Sequence, residues 1–180
     1  MPETLICVTI VLLLLLRVFA FGRRLDVGLA KATGAGSSFY LALIGSAVAL
    51  WLSAPWKNLM LASEATDPSA VVRMEIFTGM LIYDTFTVYV RSILLLFALL
   101  FVVFTRLSGI PDREDGPDIY VLILGSIVGM CLMASANHLL MVFLAVEMAS
   151  VPSYALAGLL KGRRESSEAA LKYAVYGAGA

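Results

Sequence analysis

The stretch "HLLMVFLAVEMASVPSYAL", His138–Leu156, decides how this chain is read. It has the length and apolar content of a membrane span, which takes roughly 17–25 residues. Yet it carries Glu147 near its middle and Pro152 five residues later. A charged side chain at the centre of a span costs about 2.5–3.5 kcal/mol on insertion scales. Pro152 has no backbone N–H, so the carbonyl of Met148, one turn earlier, loses its helical partner. Glu147, Ser150 and Tyr154 stand at i, i+3 and i+7 and share one helix face. The result is a polar stripe on an otherwise apolar helix. Two readings follow. The carboxyl is protonated and hydrogen-bonds a neighbouring helix, or it handles protons on an ion pathway. Hydrocarbon favours the neutral form of a carboxyl and a nearby cation favours the charged form. A group held between the two loads and releases a proton when its partner moves.

The rest of the chain supports a membrane setting. Hydrophobic residues make up 61% of its 180 positions, against roughly 45–50% in soluble domains. Period-2 alternation is not sustained, which argues against a β-barrel. The formal net charge of zero gives no electrostatic footprint for nucleic acid. The fold class expected is all-α integral membrane, with six transmembrane helices. Spans are predicted at Leu5–Phe21, Ser37–Ser53, Phe86–Leu107, Ile119–Ser135 and Leu139–Leu160. A sixth helix is capped by Ser166 or Ser167 and still under way at Ala180. Gly34-Ala35-Gly36 reads as part of a flexible connector, and Trp56 to Tyr83 as a solvated loop. Gly125 and Gly129 form a small-xxx-small pair suited to close packing on another helix. Asp84 and Arg91 read as a structural ion pair or as snorkelling groups. Cys7 and Cys131 read as small buried hydrophobes.

Orientation follows from basic residues. Arg23, Arg24 and Lys31 mark the first loop, and Lys161, Arg163 and Arg164 the fifth. The positive-inside rule puts both loops in the cytoplasm and the N-terminus outside.

Two cations could serve Glu147. His138 lies nine residues before it and reads as an interfacial histidine. Lys172 stands about one and a half turns into the sixth helix. It either snorkels to the cytoplasmic face or is a buried lysine coupled to Glu147 through water, roughly 10 Å away along the helix.

The run "SANHLLMVFLAVEMASVPSYALAGLLKGRRESSEAALKYAVYGAGA", Ser135–Ala180, closely resembles the N subunit (subunit 2) of bacterial NADH:quinone oxidoreductase, respiratory complex I. "VEMASVPSYALAG" and "SSEAALKY" carry the resemblance, and "GMLIYDTFTVYVRSILLLFALL", Gly79–Leu100, adds to it. The resemblance implies an antiporter-like fold of about fourteen helices in two inverted repeats. It implies residues 1–117 as N-terminal transmembrane helices 1–3 with an outer loop near 54–83. Residues 118–180 would then be the incomplete start of the first repeat. The sequence on this view is an N-terminal fragment, with a truncated sixth helix.

The implied function is proton translocation as one subunit of a translocase, with Glu147 and Lys172 as the residues that carry it. Redox chemistry would lie elsewhere: NADH, FMN, iron–sulfur clusters and quinone belong to partner subunits, with no cofactor or metal on this chain. The implied partners are the other membrane subunits of complex I and the lipid bilayer, in the cell inner membrane. The alternatives are a subunit of a multi-subunit sodium/proton antiporter or membrane-bound hydrogenase, and a non-pumping membrane scaffold.

Overall fold

A computed structural model of the chain describes residues 2–22, 30–53, 74–109, 116–159 and 164–179. Among them are six helices and one hairpin. The helices are α1 (Pro2–Gly22), α2 (Ala30–Ser53), α3 (Thr85–Ser108), α4 (Gly116–Ser135), α5 (Leu139–Ala157) and α6 (Arg164–Gly179). The hairpin strands are β1 (Met74–Ile76) and β2 (Leu81–Tyr83). Among the described residues three helices are long and apolar enough to cross a membrane: Thr85–Ser108, Pro117–Ser135 and Leu139–Ala157. Shorter apolar stretches occupy Glu3–Leu16 and Ser37–Ser53.

Local chemistry sets the helix ends. Asp84 caps α3, its carboxylate accepting the Thr85 N–H at 2.6 Å. Gly109 stops α3 at φ 62°, a left-handed conformation that favours glycine. His138 caps α5, its Nδ1 accepting the Leu140 N–H at 3.2 Å. At the far end of α5 the Ser166 hydroxyl donates to the Ala157 carbonyl at 2.8 Å. That satisfies one of the carbonyls a helix C-terminus leaves without a partner.

Helices α1 to α4 pack together around Ile6, Leu13, Ala42, Ala49, Leu95, Val102, Tyr120, Leu124 and Val128. Helix α4 is central. It touches α1, α2 and α3 on one side and α5 on the other, and α6 packs on α5. The burial contrast is large: half of the α4 span is buried against 6% of the α5 span. Most of α5 therefore faces outward.

The hairpin straps one end of this assembly. Met74 pairs with Tyr83 and Ile76 with Leu81, across a turn at Phe77, Thr78 and Gly79 with positive φ. Leu81 bridges to Ala136, and Asn137 donates its N–H to Met80 O at 2.9 Å and its amide Nδ2 to Gly79 O at 2.8 Å. The entry to α5 is tied down through these bonds.

Several sequence expectations change here. Helix α2 starts at Ala30, so Gly34-Ala35-Gly36 is helical and not a connector. The hairpin replaces the end of the expected loop; strands of three residues are too short to show alternation. Helix α5 ends at Ala157 rather than Leu160, which puts Glu147 midway along its 19 residues. Helix α6 begins at Arg164, before both serines proposed as its cap. Cys131 is buried, but Cys7 is exposed on α1. Arg91 pairs with Glu3 rather than with Asp84. Arg23, Arg24, Lys161 and Arg163, which bore on orientation, lie outside the described residues, as does the Trp56 end of the expected loop.

Candidate functional site

The site is built on the seam between α4 and α5. Gly125 and Gly129 face α5, as their spacing predicts. A Cβ at Gly129 would stand 2.5 Å from Ala149 N and 2.7 Å from Met148 C, whereas one at Gly125 would meet Pro152 Cγ at 3.7 Å. The missing side chain at Gly129 is what lets the two backbones approach. Between the glycines, Ser126 donates its hydroxyl to the Ala149 carbonyl at 3.0 Å. The proline-loosened turn is thus held from α4, one residue beyond the Met148 carbonyl that Pro152 deprives.

Ala145, Ala149 and Pro152 turn toward α4. Glu147, two positions from both alanines, lies about 160–200° around the helix from them. It is exposed, and among the described residues its carboxylate has no hydrogen-bond or ion-pair partner. The polar stripe expected from the sequence is present only in part. The Ser150 hydroxyl turns back onto its own helix, donating to Val146 O at 2.7 Å. Such back-bonding satisfies a hydroxyl in an apolar setting. Tyr154 instead packs against α6. Its ring meets Tyr173 edge-on at 4.8 Å, and its hydroxyl end lies over Gly177. Ser153 and Tyr173 bring their hydroxyls to 3.5 Å. Tyr173 and Gly177 carry no polar periodicity, so nothing in the sequence marked them as the dock for Tyr154.

Lys172 is exposed on α6, and its Nζ lies 2.6 Å from Glu168 Oε1, an i,i+4 ion pair. The structure does not bring Lys172 to Glu147. With Tyr173 level with Ser153, Lys172 sits about 10 Å along α5 from Glu147. His138 is the α5 cap and stands more than two turns from Glu147. Among the described residues no group of three or more His, Cys, Asp or Glu gathers as a metal site. The chemistry this arrangement offers is that of one unpartnered carboxyl at mid-span.

A family model described as NADH:quinone oxidoreductase/Mrp antiporter, transmembrane, matches residues 136–180, the segment of α5 and α6. NADH-quinone oxidoreductase subunit N 2 of Chloroherpeton thalassium is 41% identical over 106 residues, covering 57% of this chain and 21% of that protein. F(420)H(2) dehydrogenase subunit N of Methanosarcina mazei is 32% identical over 138 residues, covering 77% of this chain and 27% of that protein. The chain therefore spans about a quarter of the curated relatives it matches. A chain of respiratory complex I from Thermus thermophilus, solved with bound aureothin, superposes with a TM-score of 0.64 at 28% identity. That superposition covers 99% of this chain and 33% of the Thermus chain. Residues 136–180 thus match the NADH:quinone oxidoreductase/Mrp antiporter family model, and over more than half of its length the chain is similar to the N subunits of such enzymes.

Proposed function

We propose that the chain forms part of a proton-translocating membrane subunit of an NADH:quinone oxidoreductase, with Glu147 as its proton-handling group. One observation carries this reading. Glu147 stands at the centre of an apolar helix, turned away from α4 and unpartnered, within the segment that matches the antiporter-like family. An ionisable side chain at that depth is expensive unless it meets a partner, water or an ion path. Packing gives no reason for it, because the α4-facing positions are alanine and proline.

The chain's own residues then divide the work. Glu147 takes up and gives away the proton at its carboxylate. Pro152 and the Ser126 hydroxyl set the shape of the turn beneath it. Lys172 is a secondary electrostatic neighbour whose charge Glu168 already offsets. NADH oxidation, flavin and iron–sulfur electron transfer and quinone reduction fall to partner subunits. Residues 1–117 are the N-terminal helices of the subunit and 118–180 the start of its first antiporter-like repeat. The subunit lies in the cell inner membrane with its N-terminus outside.

Two experiments test this. A tagged full-length protein is expected to co-purify with flavin- and iron–sulfur-containing subunits and other membrane chains. Recovery with antiporter-type membrane chains alone would replace this reading with the sodium/proton antiporter one. For orientation, Ser167→Cys in intact cells is expected to resist a membrane-impermeant thiol reagent added outside. Labelling there would reverse the proposed topology.

A further inference from the structure

Helix α1 poses a problem of register. Its run "LICVTIVLLLLL", residues 5–16, offers nearly the same apolar surface at every turn. A slide of one turn, about 5.4 Å, exchanges one leucine or isoleucine for another against α2 and α4. Hydrophobic burial is non-directional, so it discriminates weakly between such positions. Two polar features of α1 do discriminate. Glu3 reaches Arg91 on α3, with Oε1 2.7 Å from Nε and side chains only 10% and 4% exposed. The pairing is by charge, without an aligned hydrogen bond, so proximity itself is what offsets the desolvation of the two groups. Two turns along, Thr9 fills the space left by Gly45 on α2; a Cβ at Gly45 would lie 2.9 Å from Thr9 Cβ.

Arg91 is itself fixed from two further sides. Its guanidinium lies over the Tyr83 ring at 5.2 Å, joining it to the hairpin. The adjacent Ser92 hydroxyl lies 3.3 Å from that of Ser53 at the end of α2. The charge that Glu3 must find therefore has a set position relative to β2, α2 and α3. Moving α1 by one turn would leave two buried charges unpaired, a strongly destabilising state.

We propose that the Glu3–Arg91 pair, seconded by Thr9 against Gly45, is the key that fixes the register of α1 on α2 and α4. Apolar burial holds α1 in the bundle, and the ion pair selects one position among near-equivalent ones. A single buried polar group that specifies register at little gain in stability is a known use of such residues.

The test is disulfide mapping in the full-length protein in its membrane, with its other cysteines replaced. Ile6→Cys with Ala49→Cys, two positions buried in the same core on α1 and α2, reports the native register and leaves Thr9 and Gly45 in place. Pro2→Cys or Ile10→Cys with Ala49→Cys reports a slide of about one turn either way. With Glu3 and Arg91 intact, the native pair is expected to cross-link and the other two to stay silent. In Glu3→Gln/Arg91→Met, which leaves no lone charge, the native cross-link is expected to fall at least threefold while an off-register pair appears. Unchanged, discrete cross-linking in that variant would overturn the proposal. Should the variant fail to accumulate, the charge swap Glu3→Arg/Arg91→Glu decides. It is expected to cross-link at the native pair within twofold of the parent, and scrambled cross-linking there would equally overturn it.

Discussion

Glu147→Gln in the full-length protein is expected to lower NADH-driven proton uptake into membrane vesicles several-fold while the complex assembles at near-normal yield. Glutamine keeps the size and one hydrogen-bonding oxygen of the side chain but cannot release a proton. Assembly should survive because Glu147 packs against nothing on α4; Ala145, Ala149 and Pro152 make that seam. Proton transfer through a positioned acid or base is worth roughly 10²–10⁴-fold in a single step. A smaller loss is expected where other groups share the pathway. Lys172→Ala should reduce uptake much less, below about twofold. Its ammonium is already neutralised by Glu168 at 2.6 Å, and an exposed pair of this kind contributes little. Normal proton uptake by Glu147→Gln, at equal complex yield, would make the carboxyl a structural hydrogen-bonding group instead.

What the sequence showed depended on the range of the forces involved. Helices α3, α4 and α5 were visible within a few residues, because apolar runs of membrane length read locally. The start of α2 was not. Gly34 and Gly36 count against a helix by about 1 kcal/mol each, yet Ala30, Lys31 and Ala32 carry it through. The hairpin escaped because three-residue strands have no period to detect. Glu3 and Arg91 were both visible as charges near apolar runs, but their pairing spans most of the first 91 residues and no local rule predicts it. The Lys172–Glu168 pair is the opposite case. An acid four residues before a lysine on a helix is a local signal, readable from the sequence alone. For the site itself, the placement of Glu147 on an apolar helix was legible, and the face it occupies relative to α4 was not. That face is set by Gly129 and Ser126, whose roles depend on the neighbouring backbone.

Gly129→Leu is expected to abolish assembly of the full-length protein, and Gly129→Ala to lower it substantially. The reason is the nature of the neighbours. A Cβ at position 129 would stand 2.5 Å from Ala149 N, 2.7 Å from Met148 C and 2.9 Å from Ala149 Cα. All three are backbone atoms, so no change of rotamer relieves the clash and the two helices must separate. Overpacking costs about 1–3 kcal/mol where side chains can yield, and occasionally more. Here a shift also stretches the Ser126–Ala149 hydrogen bond, now 3.0 Å. Gly125→Ala is the internal control. Its Cβ would meet Pro152 Cγ at 3.7 Å, an ordinary contact, and removing a mid-helix glycine can itself stabilise by about 0.5–1 kcal/mol. The measurement is the yield and thermal midpoint of the assembled complex for both alanine variants. Gly125→Ala should match or exceed the parent and Gly129→Ala should fall well below it. Equal behaviour of the two would mean that α4 and α5 do not meet along this seam. Because Glu147 is only one residue from Met148, a displaced seam should also misplace the carboxyl. Any Gly129→Ala complex that does assemble is therefore expected to oxidise NADH at a higher rate relative to its proton uptake than the parent does.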